Sequence, residues 1–493
     1  MSPWVPLLPS LGRDRGHPAL VTPEATLSFP ELERAALAHA GQVLGAGVRP
    51  GDRVAVWATP QPATVAAVVG HARVGIATVP LNPALGAREL AHVLSDAAPR
   101  LVVAADPAAF RDRTPDVRGI VTVGPAATVE PPPADAPLLV LYTSGTTGAP
   151  KGAVLTHRNA AFDLDALADA WAWTPDDVLV HALPLFHVHG LVLGVLGSLR
   201  VGSAVEILPR FSPEALCAAF GRRGTLLFAV PTMYHRLAEH CEANPGDARG
   251  LSRARLLVSG SAPLPVRENE RLHRLFGQRV VERYGLTETL MNTAARHDGP
   301  RTPGTVGPPL PGLELRLVDD ERRAISQGSP RAAGAPGSDV LGEVAVQGPN
   351  VFAGYLNRPD ATAAAMDGDG FFYTGDIASL TARGEVRIVG RKATDLIKTG
   401  GYKVGAGEVE AALLEHPAVR EAAVVGVADD DLGERIVAFV VLNPGASAAP
   451  DALSEHVAGL LAPHKRPRQV TLLDSLPRNA MGKVLKRELV ARG

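Results

Sequence analysis

One loop of this 493-residue chain has the composition of a phosphate-binding site. An apolar run at 138–141 leads into it, and Pro150, Lys151 and Gly152 end it. Glycines let backbone amides approach an anion, hydroxyl groups add donors, and a lysine adds positive charge. The loop is not a Walker A sequence, because Gly152 follows the lysine where Ser or Thr is required. A polar hairpin loop without a ligand is the alternative. The candidate contacts are Thr143, Ser144, Gly145, Thr146, Thr147 and Lys151.

A second segment, YGLTET at 284–289, resembles the central motif of the adenylate-forming superfamily, which also has a loop like the one described above. That superfamily contains acyl-CoA synthetases, peptide-synthetase adenylation domains and luciferases. The resemblance implies that Tyr284 flanks an adenine, that Thr287 contacts phosphate and that Glu288 holds Mg²⁺. It also assigns Glu282 to the nucleotide site and Thr146 to the metal. A hard cation binds carboxylate and phosphate oxygens, so these residue types suit MgATP.

Three later segments resemble further signatures of the same family, in the family's order. YTGD at 373–376 implies a ribose-binding Asp376, with Arg391 near the ribose. PRNAMGK at 477–483 implies that Lys483 neutralises charge when the carboxylate oxygen attacks phosphorus. Gly400, Gly401 and Tyr402 match a loop beside the coenzyme A tunnel. Glu288, Thr287, Lys483 and His187 are therefore the candidate catalytic residues.

Short strand-like runs alternate with helical patterns over the first 300 residues, which predicts an α/β fold with mostly parallel sheets. Segment 53–57 is one such strand, and a helix is expected after Thr156. The expected fold is a large α/β N-terminal domain of doubly wound subdomains with a small β-barrel at about 301–390. A hinge at 391–394 and a mobile α+β domain at 395–493 follow. The hinge region has one residue more than the family pattern.

Arg283 indicates the kind of acid that the chain binds. In the family, the residue before the Tyr-Gly of the central motif lines the acyl pocket and is usually small. An arginine facing an apolar acyl chain would be a buried unpaired charge, whereas one facing a second carboxylate would form a charge-assisted pair. The alternative is a surface ion pair with Glu282. The sequence around Arg283 most resembles the malonyl-CoA synthetases, which act on malonate and often on methylmalonate.

Other segments are expected to line the same pocket. Phe186–Gly190 holds His187, Val188 and His189, and the helix that begins near Val230 offers Arg236 as a second cation. Val188 and Met291 are predicted to border the α-carbon of the diacid. Small residues are expected near adenine and substrate, and they are Ser259, Ser261 and Ala262.

The composition excludes several other classes. A net charge of −2 gives no electrostatic case for nucleic acid or an anionic membrane. Cys217 and Cys241 match no metal or redox spacing, and neither a secretory signal nor a membrane span is expected. A cytoplasmic chain with ATP, Mg²⁺ and coenzyme A as its ligands, and without an obligatory protein partner, is therefore predicted. A lysine acetyltransferase acting on Lys483 would remove its charge.

Three alternatives stay open at this point. The enzyme could be a CoA synthetase for a short or medium monocarboxylic acid. It could be a stand-alone adenylation enzyme that loads a carrier protein. It could also be a degenerate nucleotide-binding module, although the four residues whose loss would mark one are present: Lys151, Glu288, Asp376 and Lys483.

Overall fold

The structure is a computed structural model that describes residues 6–128, 130–143, 150–325, 341–392, 395–400, 402–478 and 484–493. Several predicted site residues lie outside these ranges. They are Ser144, Gly145, Thr146, Thr147, Gly401 and Lys483. The hinge positions 393 and 394 also lie outside them.

The described strands form four sheets and are numbered in chain order. An eight-stranded sheet has the order β14-β13-β12-β11-β9-β10-β1-β2 and contains β1 (Pro18–Val21), β2 (Thr26–Ser28), β9 (Val178–His181), β10 (Ala204–Ile207), β11 (Leu226–Ala229), β12 (Leu256–Ser259), β13 (Val281–Leu286) and β14 (Leu290–Ala294). A seven-stranded sheet has the order β17-β8-β7-β4-β3-β5-β6 and contains β3 (Arg53–Trp57), β4 (Ala77–Leu81), β5 (Leu101–Ala104), β6 (Arg118–Gly119), β7 (Pro137–Thr143), β8 (Lys151–Thr156) and β17 (Gly354–Tyr355).

Two smaller sheets follow. The first, in the order β15-β16-β18-β19, contains β15 (Glu314–Val318), β16 (Gly342–Gln347), β18 (Phe372–Leu380) and β19 (Val386–Arg391). The second, near the C-terminus, contains β20 (Leu396–Thr399), β21 (Tyr402–Gly405), β22 (Val419–Asp429), β23 (Gly433–Leu442) and β24 (Gln469–Leu472).

Helices separate the strands. The α-helices are α1 (Phe29–Gly45), α2 (Pro62–Arg73), α3 (Ala87–Ala97), α4 (His157–Trp171), α5 (Gly197–Val201), α6 (Pro213–Arg222), α7 (Pro231–Ala243), α8 (Ala248–Ser252), α9 (Val266–Phe276), α10 (Pro359–Ala365), α11 (Ala406–Glu415), α12 (Pro450–Leu460) and α13 (Lys486–Val490). A π-helix spans His189–Leu196, and short 3₁₀ turns span Ala108–Phe110 and Pro463–Lys465. Among the described residues, no helix combines the length and hydrophobicity needed to cross a bilayer.

The large sheets follow the predicted α/β pattern. Strand β3 has the predicted bounds of 53–57, and α4 begins after Thr156, whose side chain accepts from the Asn159 amide as an N-cap. Strands β9 to β13 run parallel in their sheet, and β14 returns antiparallel to β13. In such sheets ligands bind beyond the carboxyl ends of the strands, so Ser259 and Arg283 lie at the expected edge.

The predicted β-barrel takes the form of an open antiparallel sheet. Strands β15, β16, β18 and β19 pair in sequence. A barrel requires the first and last strands to pair, and no such pairing joins β15 to β19 within the described ranges. The region is therefore better described as a four-stranded sheet than as a barrel.

Candidate active site

Arg283 lies in the interior of the large domain, directly after the two residues of β13 that pair in parallel with β12. The residue is only 4% exposed to solvent. Its Nε and Nη2 atoms are buried without a hydrogen-bond partner in the described part of the chain. Gly260, which follows β12, leaves the space for it, because a Cβ there would lie 2.4 Å from the guanidinium carbon. The guanidinium therefore has free donors for a ligand.

The surface ion pair considered for Arg283 is excluded. Glu282 is its neighbour on β13, and successive strand residues point to opposite faces. The Glu282 carboxylate accepts instead from Asn269 and from the Gly304 amide, both at 3.3 Å. Burial raises the pKa of Glu282 to about 7. The predicted nucleotide contact of Glu282 therefore stays a prediction, and these bonds already engage its side chain.

Asp163 of α4 is a fully buried carboxyl group whose electrostatic effect reaches Arg283. Burial lowers the pKa of Arg283 to about 10, and Asp163 opposes that shift. Burial raises the pKa of Asp163 well above its usual range, while the Met291 amide and Arg283 oppose the rise. Arg283 thus stays protonated at neutral pH inside a site with little water.

Neutral polar groups surround the same space. Ser259 is 1% exposed, and its hydroxyl has no partner among the described atoms. His189 is buried, its Nδ1 lies 3.3 Å from the Ser261 hydroxyl, and its Nε2 has no partner there either. Burial, followed by the charge of Arg283, lowers the pKa of His189. The neutral ring and the hydroxyl group can therefore donate to an anion beside Arg283 without adding charge.

Asp376 of β18 joins two predicted nucleotide contacts. The Tyr284 hydroxyl donates to its Oδ2 at 2.6 Å, and Arg391 pairs with its Oδ1 at 2.9 Å. Asp376 is 5% exposed. Burial and Asp376 raise the pKa of Tyr284, so the phenol stays a donor. The three residues predicted to surround adenosine thus lie in one hydrogen-bonded group.

Glu288 lies beside Tyr355, a residue that the sequence did not single out. The Tyr355 hydroxyl donates to Glu288 Oε1 at 2.7 Å, and the Lys151 ammonium lies 4.2 Å from the centre of the tyrosine ring. Lys151 begins β8 and pairs with Thr143 at the end of β7. Tyr355 therefore connects the end of the phosphate loop to the predicted metal ligand. Its position in a short edge strand gives no signal in the sequence.

The turn of the central motif is held by Asn350, a residue that no sequence motif marks. Its side-chain amide donates to the carbonyls of Thr289 and Met291 at 2.6 and 3.3 Å. Thr287 lies in this turn, between β13 and β14. Asp163 holds the same hairpin, because it accepts from the Met291 amide at 3.0 Å. A carboxylate within the apolar face of α4 is a signal that could have revealed Asp163.

The remaining pocket residues differ in exposure. Val188 and Met291 are buried, at 8% and 2% exposure. His187 is exposed and lies against Phe186. Arg236 is exposed on α7, so the structure does not bury it with Arg283. Its role as a second cation stays a prediction.

The predicted adenine and coenzyme A contacts lie on loops. Ser261 and Ala262 are exposed after β12, and Ser261 has a left-handed backbone with φ of 68°. Gly400 has φ of 55°, a conformation that favours glycine. Tyr402 is half exposed and stacks on His464 with 4.1 Å between the ring centres. Their roles toward ligands stay predictions.

Comparison with known proteins agrees with this architecture. Residues 10–356 match the model of the AMP-binding enzyme family, and residues 408–483 match that of the AMP-binding enzyme C-terminal domain. A malonate–CoA ligase of Arabidopsis thaliana is 34% identical over 90% of this chain and 78% of its own length. The mitochondrial malonate–CoA ligase of Homo sapiens is 41% identical over 71% of this chain. The chain spans 65% of the length of that human relative, which is slightly less than two thirds.

Two solved structures have the same fold. ATP-bound MatB from Rhodopseudomonas palustris has a TM-score of 0.88 and 35% identity, and the match covers 99% of this chain and 97% of that one. A malonyl-CoA ligase in a ternary product complex with methylmalonyl-CoA and AMP has a TM-score of 0.70 and 53% identity, over 96% and 100% of the two chains. The overall arrangement here is therefore nearer to the ATP-bound relative.

These matches confirm the predicted fold of mixed α/β sheets with a large N-terminal and a small C-terminal domain. The loop before Lys151 and the central motif at 284–289 lie within the matched range. The chain belongs to the AMP-binding enzyme family, the adenylate-forming enzymes that these motifs predict.

Proposed function

We propose that this chain ligates malonate, and also methylmalonate, to coenzyme A at the expense of ATP, through an acyl-adenylate. The guanidinium of Arg283 supports this most directly, because it is buried and has two donors without partners. A monoacid would leave that charge without a ligand in a site with little water, at a cost of several kcal/mol. The distal carboxylate of a short diacid would accept from those donors. The relatives named as malonate–CoA ligases support the same substrate class.

In the first half-reaction, one carboxylate oxygen of the diacid attacks the α-phosphorus of ATP. The bond to the β,γ-phosphates breaks, and acyl-AMP and pyrophosphate form. Such a step depends mainly on positioning and on stabilising charge. Arg283 would hold the distal carboxylate, and Asp376 with Tyr284 would hold the adenosine. Lys483, outside the described residues, is the proposed cation at the attacked phosphorus.

Glu288 is the proposed ligand for Mg²⁺, which would neutralise phosphate charge when bound. The residue type fits a hard cation, since Glu288 offers carboxylate oxygens and the Tyr355 hydroxyl orients the group by donating to Oε1. Carboxylate and phosphate oxygens are the donors that Mg²⁺ prefers. Thr146, the other proposed ligand, lies outside the described residues.

In the second half-reaction, the thiolate of coenzyme A attacks the acyl carbon and AMP leaves with the transferred oxygen. We place the division between the domains at residue 390, with a hinge at 391–394 and a mobile domain at 395–493. At the start of this hinge, Arg391 forms an ion pair with Asp376 at 2.9 Å, and Lys392 forms one with Glu343 at 2.8 Å. In each pair the cation is partly exposed and the carboxylate is buried. A rotation of the small domain that carried the two cations away would break both ion pairs.

An ATP–pyrophosphate exchange assay with a panel of acids tests the proposal. Malonate and methylmalonate should support exchange much better than acetate, butyrate or hexanoate, and adding coenzyme A should yield the thioester without a protein partner. A preference for a monoacid would refute the diacid assignment. Exchange without thioester formation would favour a stand-alone adenylation enzyme that loads a carrier protein.

A further inference from the structure

Two cysteines without a motif spacing in the sequence meet in the fold. Cys217 lies on α6 and Cys241 on α7, and both are free thiols buried in the large domain. Their Sγ atoms are 3.9 Å apart. Two thiolates on one tetrahedral zinc ion, each about 2.3 Å from the metal, lie about 3.8 Å from each other. The separation of the two sulfur atoms therefore already suits a shared zinc ion.

His240 and Asp247 add a nitrogen and an oxygen beside these thiols. One ligand atom each of Cys217, His240 and Asp247 lie within 4.8 Å of one another. His240 Nε2 is 2.7 Å from Asp247 Oδ2. Asp247 directly precedes α8, yet its side chain makes no helix-capping hydrogen bond and contacts His240 instead. Thiolate, imidazole and carboxylate are the groups that bind Zn²⁺ in proteins.

Glu214 of α6 supports the imidazole from its other side. Its Oε1 lies 3.4 Å from His240 Nδ1. Histidines that bind a metal usually donate their second ring N–H to a carboxylate, which selects the tautomer whose free nitrogen binds the metal. Glu214 and Asp247 are exposed, whereas the two cysteines are buried. A cation can therefore enter between the carboxylates and reach the thiols from solvent.

The charges around the cysteines favour a cation over a free thiolate. The hydrogen bond with Cys241, followed by burial, raises the pKa of Cys217, and the carboxylates of Asp247 and Glu214 add to the rise. Cys217 is therefore protonated without a metal. A coordinating cation deprotonates a thiol, and the same negative groups that oppose a thiolate attract the cation. Binding thus releases thiol protons to solvent, so the affinity should rise with pH.

We propose that four side chains of this cluster form a tetrahedral binding site for Zn²⁺, separate from the magnesium site proposed at Glu288. The ligands are Cys217, Cys241, His240 and Asp247. The metal would join α6 and α7 to the start of α8, and α7 begins shortly after β11 at the edge of the large sheet. A cation bound by three elements of the fold stabilises their packing. The site depends neither on the acid that is ligated nor on the proposed activity.

Zinc binding to the untagged full chain, with reductant and excess Mg²⁺ present, tests the site. After dialysis against Zn²⁺, elemental analysis should find one zinc ion per chain, and competition with a chromophoric chelator gives the affinity. Cys217→Ser, Cys241→Ser and His240→Ala should each lower that affinity more than about 100-fold, the upper end of what an outer-shell group contributes. Glu214→Gln should lower it about 10-fold, because Glu214 orients the ring without touching the metal. His235→Ala is the matched control, since it removes an exposed histidine of the same helix that also pairs with carboxylates.

Cobalt substitution and thermal unfolding give two further measurements. Co²⁺ in this site should show the strong visible absorption of tetrahedral coordination and a thiolate charge-transfer band, and the band should weaken in each cysteine variant. Zn²⁺ should raise the midpoint of thermal unfolding of the wild type and of His235→Ala, but not that of Cys217→Ser. Where a cysteine variant does not fold, His240→Ala decides, because its side chain lies nearer the surface.

Several results would overturn the inference. They are the absence of zinc from the reduced wild type, wild-type affinity in any of the three ligand variants, an equal loss in His235→Ala, or a cobalt spectrum without the thiolate band. A disulfide between Cys217 and Cys241 in the oxidised chain, with no zinc bound by the reduced chain, would identify a redox pair instead. A chain that binds zinc but does not activate malonate would refute only the proposed function, and an active ligase without zinc affinity would refute only this site.

Discussion

Replacement of Arg283 by methionine tests the anchor of the distal carboxylate. Methionine fills much of the same volume, so the change removes charge and donors without leaving a large cavity. Two guanidinium donors lack protein partners, and a hydrogen bond to a charged group contributes roughly 1.5–3 kcal/mol. Removing one partner of a buried ion pair costs about 3–5 kcal/mol. The value of kcat/KM for malonate should therefore fall by about 10²–10⁴.

The loss should be specific to diacids. Initial rates of pyrophosphate exchange are measured for wild type and variant with malonate and with butyrate, and the ratio of the two kcat/KM values is compared. Arg236→Ala is the control, because this arginine is exposed and should leave that ratio within about twofold. Unchanged malonate kinetics in Arg283→Met would refute the argument that burial makes this arginine the anchor. A large effect of Arg236→Ala would move the anchor to α7.

Three other changes have defined outcomes. Tyr355→Phe removes the hydroxyl group that orients Glu288, so the Mg²⁺ concentration for half-maximal exchange should rise about 10–100-fold, and an unchanged Mg²⁺ titration would contradict the role of this contact. Gly260→Ala places a Cβ 2.4 Å from the guanidinium of Arg283; the resulting strain of about 1–3 kcal/mol should raise KM for malonate and spare that for butyrate. The free energy of unfolding should fall as pH drops from about 6.5 to about 4, because the unfolded chain protonates its histidines in that window while burial keeps several of them neutral in the fold. The histidines whose pKa is lowered to about 4 are His39, His157 and His181. Burial raises the pKa of Glu282 to about 7 and also raises that of Asp163, so both groups contribute stability that is lost as pH rises and they oppose this trend. The buried histidines outnumber them, and urea titrations between pH 4.5 and 7.5 measure the net change.

The local chemistry of the nucleotide site was predictable from the sequence. A loop of glycines and hydroxyls ending in Lys151 needs only backbone amides and one charge, and these follow directly from the residue types. Strand β3 and the start of α4 after Thr156 were also predictable, because apolar periodicity and N-caps act over a few residues. The diacid hypothesis also came from a residue type, because Arg283 stands where the family usually has a small residue.

Only the tertiary structure distinguished the two arginines considered for the pocket. Arg283 is buried at the carboxyl edge of a sheet, whereas Arg236 is exposed on a helix. Exposure depends on which elements pack against a residue, and a short sequence window does not contain those elements. The orientation of α7 on its sheet places Arg236 in water. The position of β13 inside its sheet places Arg283 in the interior.

The partners of the site residues were likewise decided by the fold. Tyr355 lies 67 residues after Glu288, and Asp163 accepts from an amide 128 residues away. The sequence determined which groups were available for chemistry, because residue type sets charge and donor capacity. Packing of α4 and of strand β17 against the central hairpin determined which of those groups meet. Desolvation by that packing then lowered the pKa of Arg283 and raised that of Asp163, since the cost of a charge depends on the water that surrounding elements exclude.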